Sequence, residues 1–270
     1  KQSNEDGTLS YEEITWLTRR AKDGFGIVTT AASHVSELGK GWIGEMGVWS
    51  DNHLEGLTKL ASSLKKHGSL NLVQIFHGGM KAPFEINNVI PVCPSKMMNE
   101  STGKLLAREL KTDEIYQVIE DFSDAAKRCE DAGFDGVEIH GAHSYLISQF
   151  LGLKTNRRTD EFGGSIENRF RFLREIILSI REKTSEDFLV AVRISPKIST
   201  IGISIEDSLE VTKMLCEMDI DMFHLSCWDV FEELEGGQNL TNLFKPHVPE
   251  NIAYASTGAI WSTADANWLM

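Results

Sequence analysis

Helix-period and strand-period segments alternate along this chain. Ser10-Tyr11-Glu12-Glu13 has the spacing of a capping box and predicts a helix that ends by Gly24. Gly26–Ala31 reads as a buried strand. Asp51 is placed to cap a helix with Leu54, Leu57, Ala61 and Leu64 on one face, closed by Gly68. Asn71–Phe76 is the second predicted strand. The pattern then breaks from His77 to Lys111, a stretch with Pro83, Pro91 and Pro94, where we expect a loop or hairpin excursion. A helix starts at Thr112, carries Ile115, Ile119, Phe122, Ala126 and Cys129, and ends at Gly133. Gly136–His140 is the third strand. Ser165 caps a helix with Phe170, Leu173, Ile176, Ile177 and Ile180, and Phe188–Arg193 is the fourth strand. Ser204–Met218 is helical, Met222–Ser226 and Asn251–Ala255 are strands five and six, and Ser262 opens a further helix.

Apolar strands joined by helical crossovers imply an α/β protein whose parallel sheet is buried on both faces. Doubly wound sheets and barrels share this pattern. No GxGxxG follows the first strand, which disfavours a dinucleotide-binding sheet. Polar residues gather at the C-terminal ends of the strands: Gln74 and His77, His140 and His143, Arg193, Thr257. A (β/α)8 TIM barrel puts its active site at that end. The expectation is one barrel domain over residues 1–270 with an excursion near 78–111. Six strands are two short of eight, so strands one and eight are expected to lie outside this sequence, leaving open sheet edges.

Charge and cysteine content narrow the function. The chain has 27 basic and 40 acidic residues, a formal net charge of −13. No basic face is available for phosphate neutralisation, so nucleic acid is not an expected partner. An anionic membrane surface would repel it, and no apolar run approaches the ~18 residues of a spanning helix. The polar segment from Lys1 to Thr8 has no apolar core of a signal peptide. Cys93, Cys129, Cys216 and Cys227 lie far apart with no CxxC pair, which argues against a zinc or iron–sulfur framework and for a cytoplasmic setting.

The densest chemistry follows the third strand. His140 and His143 can each donate an imidazole N–H to an oxygen of a substrate carbonyl or nitro group, polarising a conjugated alkene. Tyr145, two residues on, can supply a proton as a general acid. The same two histidines could instead be a metal pair or a structural pair, and Tyr145 alone would read as a core residue with a satisfied hydroxyl.

The wider segment resembles the Old Yellow Enzyme family of NADH:flavin oxidoreductases. His140-Gly-Ala-His143-Ser-Tyr145 and, downstream, Asn156-Arg-Arg-Thr-Asp160-Glu-Phe-Gly163-Gly164-Ser165-Ile-Glu-Asn-Arg169 match the family pattern in order and spacing. The resemblance implies bound FMN, NADH or NADPH as reductant, and activated alkenes (enones, enals, nitroalkenes) as small-molecule acceptors. It implies carbonyl or nitro binding by His140 and His143, and protonation by Tyr145. Arg193 matches an arginine that stabilises reduced flavin, and Gln74 a glutamine on the flavin pyrimidine edge. Ala31 matches a small residue where backbone nears the flavin. Thr257-Gly258-Ala259 resembles a Ser-Gly-Gly turn that binds the FMN phosphate through backbone N–H groups. Family members often form homo-oligomers.

Several positions depart from the pattern. Ala259 replaces a glycine, which is costly if that residue needs a positive φ. Met80 removes a charge near the flavin entrance, and Ser144 replaces the usual glycine before Tyr145. The Arg157–Glu161 run reads as an ion-pair network that locks a loop. No metal site is expected. The alternatives are a metal-dependent barrel hydrolase or lyase using His140 and His143, and a degenerate barrel that binds no cofactor.

Overall fold

A computed structural model describes residues 2–269. Its main sheet contains six parallel strands: β1 (Ile27–Thr29), β2 (Leu70–Phe76), β3 (Gly136–Gly141), β4 (Leu189–Ile194), β5 (Met222–Ser226) and β6 (Ala253–Thr257). They lie side by side in chain order, and a short piece, Ser33–His34, continues the first strand along the C-terminal half of β2. Besides a single helical turn at Phe84–Asn87, the helices are α1 (Tyr11–Lys22), α2 (Leu54–Lys65), α3 (Thr112–Asp131), α4 (Leu146–Leu151), α5 (Ile166–Lys183), α6 (Ile205–Cys216), α7 (Leu240–Phe244) and α8 (Thr263–Leu269). Successive parallel strands with crossover helices make this a curled, partial (β/α)8 barrel. Among the described residues β1 and β6 are the open edges.

The strand order follows from alternation rather than from uniform apolarity. Val73, Ile75, Val137, Ile139, Val190, Val192, Phe223 and Leu225 join the helices in one buried apolar cluster. The intervening residues are largely polar: Gln74, Glu138, His140, Arg193, His224 and Ser226. Glu138 on β3 hydrogen-bonds His224 on β5 although β4 lies between them. Such a bond reaches across the concave face, over Ala191, which stands in register beside Glu138. The barrel interior is therefore a polar floor.

Local differences from the sequence reading have physical causes. Ser50, not Asp51, caps the second helical segment: its Oγ accepts the Asn52 N–H at 3.3 Å, and a 3-10 turn leads into α2. The first strand is interrupted after Thr29, where Thr30 and Ser33 hydroxyls turn onto the Ala31 carbonyl. The sixth strand runs to Thr257, two residues past its expected end. The excursion contains a small sheet in which Leu105–Glu109 pairs parallel with Val92–Cys93 and antiparallel with Met97–Met98. No helix of the described residues is long and apolar enough to cross a membrane. The Arg157–Glu161 run does tie loops together. Arg158 is buried, pairs with Asp160, and donates to the carbonyls of Pro94 and Leu110 at 3.0 and 2.6 Å.

Candidate active site

Three polar groups sit level at the top of the floor because the strands are in register. His140 aligns with Arg193, and Arg193 with His224; one step below, Gln74 aligns with Glu138. The loop after β3 then carries His143 and Tyr145 back over this level. Ring centroids are 4.9 Å apart for His140 and His143, 5.1 Å for His140 and Tyr145, and 4.9 Å for Tyr145 and Phe76.

That loop is strained. His143 and Ser144 both have positive φ, 59° and 61°, which costs a non-glycine residue about 1–2 kcal/mol each. Ser144 thus stands where glycine would be free of that cost. Four hydrogen bonds hold the turn. Lys81 Nζ donates to the His143 carbonyl at 2.8 Å, and His143 N–H donates to Ser195 Oγ at 3.3 Å. Gln149 Nε2 donates to the Ser144 carbonyl at 2.7 Å, and Tyr145 N–H to the Ala142 carbonyl at 3.3 Å. Strain held by its surroundings is a common feature of functional loops. Lys81 also lies 5.4 Å from the Tyr145 ring centroid.

The hydrogen bonds assign protons. His140 Nδ1 accepts the Ala142 N–H at 3.3 Å, so its proton sits on Nε2, which has no protein partner among the described residues. Burial, reinforced by nearby His143 and Arg193, holds His140 well below the usual imidazole range. Burial and Arg193 bring His143 down to about 4. Both rings are neutral at pH 7. Arg193 Nη2 can only donate, and Ser226 Oγ accepts it at 3.0 Å. Ser226 Oγ also lies 2.9 Å from His143 Nε2, so that nitrogen is engaged and Nδ1 has no protein partner among the described residues. Each imidazole keeps one unengaged nitrogen. The Tyr145 phenol is pushed up by burial and by Glu45, so it stays protonated. No described residue accepts its hydroxyl. Two neutral imidazoles and one acid converge, which is the equipment for stabilising a developing oxyanion and delivering a proton.

The remaining expected residues fall into two groups. Gln74 and Arg193 share the floor. Arg193 Nε is buried without a partner, an unmet donor that a bound acceptor would satisfy. Ala31 is exposed at the end of β1, next to Thr30, whose Oγ1 accepts the Gln74 N–H at 3.1 Å. Thr257 ends β6 at the far edge, and Gly258 and Ala259 follow it. A Cβ at Gly258 would come within 2.5 Å of the Cys227 carbonyl oxygen, so that close approach requires glycine. Ala259 has φ 52°, so the cost expected for its methyl is present. Ala259→Gly should change the stability of the protein by less than about 1 kcal/mol, since glycine's extra chain entropy offsets the relief. A urea titration beside the parent checks this.

Sequence reasoning missed Glu138, His224, Ser226, Lys81 and Gln149. The first three follow the period-two alternation that also places His140 and Arg193, so their signal was in the strands. Lys81 and Gln149 act through backbone contacts that no pattern announces. Among the described residues no group of three or more His, Cys, Asp or Glu is arranged to hold a metal ion. A cavity of about 590 Å³ lies beside the open edge of β1 against Trp16 and Phe25 and reaches Ala31.

Comparison with known proteins agrees with the geometry. Residues 1–246 match the model of the NADH:flavin oxidoreductase / NADH oxidase family. A flavin barrel of the Old Yellow Enzyme type is thus the class that fold and site define, and the chain belongs to that family. It is 36% identical to the probable NADH-dependent flavin oxidoreductase YqiG of Bacillus subtilis over 98% of this chain and 73% of that protein. It is 37% identical to an NADPH dehydrogenase of Bacillus pumilus over 82% of this chain but only 64% of that protein. An Old Yellow Enzyme homologue from Zymomonas mobilis superposes with a TM-score of 0.85 at 26% identity, covering 99% of this chain and 78% of that one. FMN is the family's cofactor and NADH or NADPH its reductant.

Proposed function

We propose that this chain reduces activated alkenes at the expense of NADH or NADPH. Bound FMN supplies the hydride carrier between the two substrates. Gln74 and Arg193 are the residues that would hold its ring, and the unmet Arg193 Nε is the observation that fits them to it. Ala31, Thr257, Gly258 and Ala259 would contact it from the two edges.

The reading rests on one arrangement: two neutral imidazoles, each with one ring nitrogen free of protein partners, beside a protonated phenol with no protein partner among the described residues. His140 and His143 bind the carbonyl or nitro oxygen of an enone, enal or nitroalkene and stabilise the charge that develops there. Tyr145 gives its proton to the α-carbon. Lys81 and Gln149 hold the turn that carries Tyr145. The Phe76 ring against Tyr145 keeps water from one side of the phenol.

The test is the absorption spectrum of the purified protein, with the flavin released by heat and identified. Stoichiometric FMN, whose absorbance is bleached by NADPH and returns when an enone is then added, is the expected result. A colourless protein that takes up no added FMN would point to the cofactor-less barrel.

A further inference from the structure

We infer that Glu138 is a positioning residue that fixes which end of the Gln74 amide faces the ligand. The inference rests on the proposed FMN site. Glu138 is 2% exposed, and nothing in the reaction above uses it. Its two oxygens are both engaged: Oε1 accepts Gln74 Nε2 at 2.5 Å, and Oε2 accepts His224 Nδ1 at 2.6 Å.

An amide is ambiguous, since either end can face a ligand. A carboxylate removes that ambiguity, because an ionised carboxylate only accepts. Burial pushes the Glu138 carboxyl up, but the His224 hydrogen bond and charge, the Gln74 amide and nearby Arg193 outweigh it, and it stays below its usual range. Gln74 must then turn its NH2 to Glu138 and its carbonyl Oε1 away. The glutamine therefore offers an acceptor to the site. On the pyrimidine edge of a flavin the ring N3–H is the one donor, flanked by two carbonyl acceptors. The clamp thus selects a ring presenting N–H at that point. His224 anchors the second oxygen so that the carboxylate cannot swing away. Ala191, in register between β3 and β5, leaves the room that the Glu138–His224 bond crosses. A larger side chain there would block it.

The test is a double-mutant cycle on FMN affinity, with Gln74→Met and Glu138→Gln made singly and together and read by quenching of flavin fluorescence. Glu138→Gln keeps the shape but lets the two amides pair either way. It should weaken FMN about tenfold, roughly one hydrogen bond. In the Gln74→Met background the same substitution should change nothing. Equal weakening in both backgrounds would overturn the inference while leaving the flavin reading intact. Failure of the unsubstituted protein to bind FMN would instead overturn that reading, and this inference with it. Should Glu138→Gln not fold, His224→Leu enters the same cycle. It frees one carboxylate oxygen and should weaken FMN only where Gln74 is present, and additive behaviour would again count against the clamp.

Discussion

Tyr145→Phe should slow reduction of an enone by about 10²–10⁴-fold while leaving the oxidation of NADPH by the holoenzyme nearly unchanged. The two half-reactions separate because only one of them needs a proton from the protein. NADPH gives up a hydride and asks nothing of Tyr145. In the proposed reaction the alkene accepts a hydride at one carbon and must gain a proton at the next, and the phenol would give it. Removing one oxygen atom leaves the ring in place against Phe76 and His140, so packing is kept. Lys81 and Gln149 bond the backbone of residues 143 and 144, not the phenol, so the turn is kept as well. Stopped-flow traces of each half-reaction measure the split. Equal slowing of both would mean that Tyr145 shapes the pocket rather than supplying the proton. No slowing of either would assign the proton to solvent.

How far the sequence reveals this site depends on how each residue is placed. His140, His143 and Tyr145 were legible because they fall within one short stretch at the end of β3 and in the loop after it, where spacing alone brings them together. Arg193 and Gln74 were legible as polar residues in otherwise apolar strands. Glu138 and His224 have the same property, but their meaning lies in a bond between β3 and β5, across an intervening strand. Only the curvature of the sheet makes that bond, and curvature is not written in any one segment. The helix and strand order was clear from periodicity. The caps were less so: Ser50 and Asp51 are both good capping residues, and the 3-10 turn that decides between them depends on His53 hydrogen-bonding back to Ser50. Positive φ at His143 and Ser144 was invisible for a different reason. Neither residue type signals it, and the conformation is imposed by partners more distant in the chain, including Lys81 and Ser195.

The strongest part of the downstream motif has a structural task, and Arg169→Met should show it by destabilising the protein by about 3–5 kcal/mol. Arg169 is 4% exposed and lies in the first turn of α5. Its guanidinium binds three separate elements. Nη1 donates to the Leu151 carbonyl at the end of α4, Nε to the Gly164 carbonyl at 3.3 Å, and Nη2 to Asp207 Oδ1 at 2.9 Å in the first turn of α6. Methionine matches the stem but supplies none of these donors. Two carbonyls lose a partner, and Asp207 loses the cation that compensates its partial burial. Against a typical total of about 5–15 kcal/mol, such a loss brings a domain close to unfolding at ambient temperature. Arg169→Lys should recover little, since one ammonium cannot reach three acceptors that a planar fork spans. The double variant with Asp207→Asn should cost less than the sum of the two single variants, because the pair is then removed as a unit. Urea unfolding of the four proteins measures these values. FMN affinity in the folded fraction should stay close to that of the parent, since Arg169 touches none of the residues placed around the ring. A large fall in affinity with unchanged stability would move Arg169 from the scaffold into the binding site.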